Sequence, residues 1–133
     1  MSQRYAEFLK RRAKAFLEDA QGDFARGNYD LVLFHVEQFL QLYFKHLIYK
    51  RIGDYPKTHS LIRLIRDVMK VYDESSLREF YDKNLETLYL LEEAYIASRY
   101  LPREYDREIA ERILEFSKRA LEVLEWLEKH SQT

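Results

Sequence analysis

Between Asp30 and Ile52 the chain has almost no polar face. Leu31, Val32, Leu33, Phe34, Val36, Phe39, Leu40, Leu42, Tyr43, Phe44, Leu47 and Ile48 are too densely placed to share one side of a helix. A helix that is apolar nearly all round is stable only where neighbours cover several of its sides. The segment therefore predicts the central helix of a bundle, a subunit interface, or both. Gly53-Asp54-Tyr55-Pro56 ends it.

The flanking segments supply amphipathic partners. A first helix is predicted from about Gln3 to Arg26, with Phe8, Leu9, Ala13, Phe16, Leu17, Ala20 and Phe24 recurring at three- and four-residue spacing before Gly27-Asn28 stops it. Thr58 or Ser60 can cap a short helix from Leu61 to about Val71. Ser76, three residues before Glu79, has the spacing of a capping box and opens a helix running to about Ser98, stopped by Pro102. A last helix is predicted from near Asp106 to about Lys129. The connections are short enough to set successive helices antiparallel.

With 3 glycines, 2 prolines and no strand-like runs, the 133 residues read as one all-α domain spanning 1–133. The net charge of −1 excludes a global basic field, so any phosphate contact must come from a local cluster, and no DNA partner is expected. No cysteine is present, which removes thiolate chemistry and fits a reducing compartment. No stretch of about 18 uncharged apolar residues occurs, so no membrane association and a cytoplasmic location are expected.

One corner concentrates residues suited to a ligand. Arg99, Arg103 and Arg107 repeat every four residues across the last turn between helices, where a new helix would open with unpaired N–H groups. Guanidinium forks near such a terminus hold phosphate well. Tyr95, Tyr100 and Tyr105 bracket the corner and can stack on a base or ribose. The alternative is a solvated face of ion pairs with Glu104, Glu108 or Glu111, and tyrosines at the edge of the core. Glu37, on the nearly all-apolar helix, is costly to bury unless paired; Arg99 or Lys45 can neutralise it in a structural ion pair, or it can belong to a polar pocket. His35 and His46 lie too far apart on one helix to share a metal, and His59 precedes a helix where a local capping or packing contact is expected of it. No cofactor is implied.

The order of features resembles the HEPN family: Gly27-Asn28-Tyr29 after the first helix, an apolar second helix carrying Glu37, His59-Ser60-Leu61 opening the third, and Ser98-Arg99-Tyr100 closing the fourth. The resemblance implies an up-and-down four-helix bundle with a short additional helix, paired as a homodimer. RNA-cleaving members carry an arginine followed after four to six residues by histidine. Beyond Arg99 those places hold Glu104, Tyr105 and Asp106, so the acid–base partner is missing. What is implied is a non-catalytic member that binds a nucleotide or other phosphate ligand through Arg99, Tyr100, Arg103 and Tyr95, with Glu37 nearby. Such members act beside a minimal nucleotidyltransferase in a toxin–antitoxin-like pair. The alternatives are a ribonuclease toxin with an altered site, and a purely structural interaction module.

Overall fold

The computed structural model of the chain describes residues 2–100 and 104–130, without the side chains of Ser2, Ser98 and Arg99. The described residues form six helices and no strand: α1 (Ser2–Arg26), α2 (Tyr29–Ile52), α3 (Leu61–Tyr72), α4 (Ser75–Lys83), α5 (Leu85–Tyr100) and α6 (Arg107–His130). The all-α expectation holds. Helix α3 is the short additional element, and α4 with α5 fills the place of the single fourth helix read from the sequence.

Helix α2 packs against α1, α3, α5 and α6. Val32, Leu33, Val36, Phe39, Leu40, Tyr43, Phe44 and Leu47 are completely buried along it. Its apolar excess is thereby taken up within one chain, and the large apolar side chains it leaves exposed are Leu31 and Ile52 near its two ends. Pairing of subunits would have to use another surface. On α1 the buried positions include Ala6, Ala13 and Ala20, which fall one above another at two-turn spacing and allow close approach of the neighbouring helix. Phe8, read as an inward residue, is instead 37% exposed.

Two local readings are corrected. Ser76 does not cap a helix: α4 begins one residue earlier, and the Ser76 hydroxyl is buried without a hydrogen-bond partner among the described residues. The predicted fourth helix is broken at Asn84, whose side-chain amide donates to the Phe80 carbonyl at 2.8 Å. An asparagine side chain that takes a helical carbonyl competes with the backbone ladder, and the chain turns there. Two other ends follow the sequence, and the stop read at Pro102 lies outside the described residues. Gly53 adopts φ 75° and closes α2 by donating its N–H to the Tyr49 carbonyl, a left-handed cap that glycine favours. Ser60 caps α3 by accepting from the Arg63 N–H at 3.2 Å.

A polar knot ties α1, α2 and α6 together. Glu128 accepts from the Tyr43 hydroxyl at 2.5 Å and from His46 Nε2 at 2.8 Å, with Lys10 and Lys50 at 3.2 and 3.3 Å. His46 is fully buried, and its Nδ1 meets the Ala6 carbonyl at 2.6 Å. Both ring nitrogens face acceptors, a geometry that asks for N–H on each. Burial pushes the Glu128 carboxyl up, but the His46 and Tyr43 hydrogen bonds and the charges of His46 and Lys10 outweigh it and hold the group well below the usual carboxylate range.

Removing this carboxylate strands two buried donors. Glu128→Ala is expected to cost about 3 kcal/mol, measured as a lowered urea midpoint at neutral pH. Because the folded value is depressed, the contribution is complete above the ordinary pKa of 4.5 and is lost as pH falls below it. The gap between wild type and variant should narrow in acid; a gap that widens there would contradict the assignment.

Candidate functional site

Where the 53–60 connection runs into α3, it faces the last two turns of α5 across a cleft of about 380 Å³. Thr58, His59 and Ser60 form one wall, and Glu92, Tyr95, Ile96 and Tyr100 the other. The α5 residues share a side because they recur at three- and four-residue spacing. The cleft thus unites Tyr95 and Tyr100, two of the tyrosines singled out from sequence. Their roles differ. Tyr95 is 8% exposed and lies in a run of rings, parallel to Phe34 at 5.8 Å and stacked with His59 at 5.6 Å. Tyr100 is 74% exposed and stands at the rim. His59 is the solvent-exposed end of the run, so the packing contact expected of it is made while its ring still borders the cleft.

The floor is acidic. Glu92 Oε1 accepts from the Ser60 hydroxyl at 3.0 Å and from the Ile62 N–H at 3.3 Å. Its carboxylate therefore satisfies the start of α3, where an anion is favourably placed by the helix dipole. Sequence reasoning missed Glu92, since a glutamate in a Glu-rich helix looks like any solvated one; its place on the Tyr95 and Tyr100 face was the available signal. Glu37 does not line the cleft. It is fully buried behind it, its oxygens accepting from the Gln38 and Gln41 amides at 2.8 and 2.6 Å. No ion pair between Glu37 and Lys45 forms, and the Arg99 side chain, the other partner proposed for it, lies outside the described residues. Burial raises its pKa from 4.5 to about 7, opposed by the two glutamine hydrogen bonds, with Glu92 pushing further up and Lys45 down.

Of the arginine repeat only Arg107 is described with its side chain. Arg99 lies in the last turn of α5, but its side chain, and all of Arg103, fall outside the described residues. Arg107 places its guanidinium 4.9 Å from the Phe24 ring centroid. Tyr105 is half-buried against the core rather than open at the corner. At the start of α6 Asp106 Oδ1 accepts from the Ile109 N–H at 3.0 Å, which occupies one of the N–H groups there. Among the described residues no three His, Asp or Glu side chains gather into a metal-holding group, and no helix is long and apolar enough to cross a membrane.

This arrangement can accept hydrogen bonds from hydroxyls or amines at Glu92 and offer aromatic edges at His59 and Tyr100. It repels phosphate at its floor, so an anionic group would have to lie towards the outer end of α5.

The sequence model of the HEPN domain matches residues 6–130 of the chain. The crystal structure of TT1696 from Thermus thermophilus is similar in fold, with a TM-score of 0.71 at 23% identity over 92% of this chain and 97% of that one. A comparison with curated proteins gives no match.

The raised Glu37 value fixes a sign. Between pH 4.5 and about 7 the folded state holds the extra proton, so stability falls as pH rises through that window and stays lower above it. The full loss is about 3 kcal/mol. Glu37→Gln should abolish this slope and leave the variant more stable than wild type at pH 8 in urea titrations; equal slopes would remove the buried carboxyl from the account.

Proposed function

Because the chain belongs to the HEPN family, we propose that it binds a nucleotide at the α3–α5 cleft without turning it over. The observation that carries this reading is the pairing of exposed aromatic rings, His59 and Tyr100, with a hydrogen-bond-accepting floor at Glu92. A base can lie against the rings and ribose hydroxyls can donate to Glu92, while the phosphates point outward to Arg99 and Arg103, the cations that the sequence supplies at the end of α5. Glu37 then acts from behind, through Glu92, rather than by touching ligand. A minimal nucleotidyltransferase as partner, in a toxin–antitoxin-like pair, belongs to the same proposal.

Calorimetric titration with ATP tests it. Binding in the micromolar range is expected for wild type, with a loss of tenfold or more in Arg99→Ala and a smaller loss in Tyr100→Ala. Unchanged affinity in both variants would move the site elsewhere. A second reading, a ribonuclease with an altered site, is favoured by one observation: His59 comes to the cleft from outside α5 and stands exposed beside it. It requires RNA cleavage that disappears in His59→Ala, and RNA left intact by the wild-type protein rules it out.

A homodimer is also proposed, on a surface other than α2. Tyr89, Ile96 and Tyr100 are exposed at seven- and four-residue spacing on one side of α5, an apolar strip whose last two members also line the cleft. Light scattering should give twice the chain mass, reduced to one chain by Ile96→Asp. A monomeric wild type would overturn the pairing.

A further inference from the structure

The α1 surface carries five basic residues near its start and middle, and they are sorted by what they meet. Lys10 and Lys14 reach α6, where Glu128 and Glu125 neutralise them at 3.2 and 2.9 Å. Arg4, Arg11 and Arg12 make no ion pair among the described residues; they surround an aromatic platform instead. Tyr5 and Phe8 stack at 6.0 Å and 22°, and Tyr55 continues the run from Tyr5 at 6.5 Å and 11°, joined by a 2.8 Å hydroxyl contact. Arg11 and Arg12 stand 5.8 and 5.2 Å from the Phe8 ring centroid. Lys57 and Lys45 stand 4.5 and 5.4 Å from that of Tyr55. Tyr5 and Phe8 are each 37% exposed and border a groove of about 870 Å³, in which the one acidic side chain is Glu7.

We infer that this face binds a single-stranded polynucleotide, its bases stacking on the Phe8–Tyr5–Tyr55 run and its phosphates taken by Arg4, Arg11, Arg12 and Lys57. Tyr5 and Phe8 line the groove with Tyr49, which meets Tyr5 edge-on at 4.9 Å, and Arg4 and Arg11 stand beside them, while Tyr55 extends the run outside the groove. Exposed rings suit bases of any sequence, and cations around them suit the backbone. The chain as a whole carries a net charge of −1, so this concentration of unneutralised cations is a local complement to a polyanion, not a reflection of composition. A second copy of the same face is disfavoured, since a twofold contact would set arginines against arginines. The inset of the rings, a little over a third exposed within a groove, favours flat bases over insertion into a lipid surface. Tyr55 and Lys57 sit on the connection whose next residues, Thr58 to Ser60, line the cleft. The inference does not rest on the nucleotide reading of that cleft.

Fluorescence anisotropy with a labelled oligouridylate of about 15 nucleotides, and the matching oligothymidylate, tests the full chain. Binding is expected at low salt and should weaken as salt is added. Phe8→Ala should weaken it by about tenfold. The exposed pair Arg11→Gln with Arg12→Gln should weaken it and make the dependence of log affinity on log salt shallower by about 1.4. A preference for oligouridylate would identify RNA as the source, and equal binding a reader of bases and phosphates alone; both support the inference. ATP affinity should be unchanged in these variants, which separates this face from the cleft. Failure of wild type to bind either strand at low salt, full retention in both variants, or capture by phosphatidylserine vesicles in place of oligonucleotide would overturn it.

Discussion

Helix α2 is enclosed by four neighbours, and a helix so placed has little solvent side for its polar groups. Each polar residue on it must be satisfied within the protein or left out. Glu37, Gln41 and His46 are the buried polar residues it carries, and each has a hydrogen-bond partner within the protein. Glu37 draws on Gln38 and Gln41 within α2, whereas His46 reaches out to α1 and α6. The first arrangement leaves a carboxyl that is poorly compensated and easily protonated. The second pairs a buried carboxylate with donors on every side.

These two solutions divide the molecule by how its buried polar groups are satisfied. Around His46 and Glu128, donors and acceptors are matched across three helices, which fixes how α1 and α6 sit against the core. Around Glu37 the hydrogen bonds among the described residues come from α2 itself, and the wall near it is of a different make. That wall is the α3–α5 cleft, where Glu92 joins the cap of α3 and faces the exposed rings. The charges on α1 are divided in the same way. Lysines that meet α6 are neutralised by its glutamates, while the arginines on the other side gather about aromatic rings with one acidic neighbour. A net charge near zero conceals both an acidic cleft and a basic platform.

The fold was legible because it depends on period and punctuation, which a single sequence carries. The density of apolar residues in 30–52 implied a central helix, and Gly53 and Ser60 were read as boundaries from backbone chemistry. The break at Asn84 was missed because an apolar stripe continues across it; the competing side-chain bond to Phe80 is visible only in three dimensions. The site was legible in part. Tyr95 and Tyr100 were found because they share a helix face with a terminal arginine, but Tyr95 proved to be filling between rings. Glu92 was missed because its partners, Ser60 and Ile62, lie 30 or more residues away in sequence. Phe8 was passed over for the opposite reason: at helical spacing it looks inward, and only the position of α1 relative to its neighbours turns it out.

The acidic floor also limits what the arginine corner can do. An isolated cluster of guanidiniums would attract any phosphate, but phosphate placed beside Glu92 would meet a carboxylate whose charge is already committed to the start of α3. A ligand that fits must therefore be polar in two senses, with hydrogen-bond donors at one end and negative charge at the other. A nucleotide has that polarity, with ribose and base separated from its phosphates by the length of the sugar. Inorganic phosphate lacks it. The order of groups along α5, glutamate at 92, tyrosines at 95 and 100, and arginine at 99, spans about 12 Å at helical rise, so the acceptor and the cation that the proposed nucleotide reading needs are held apart on one helix.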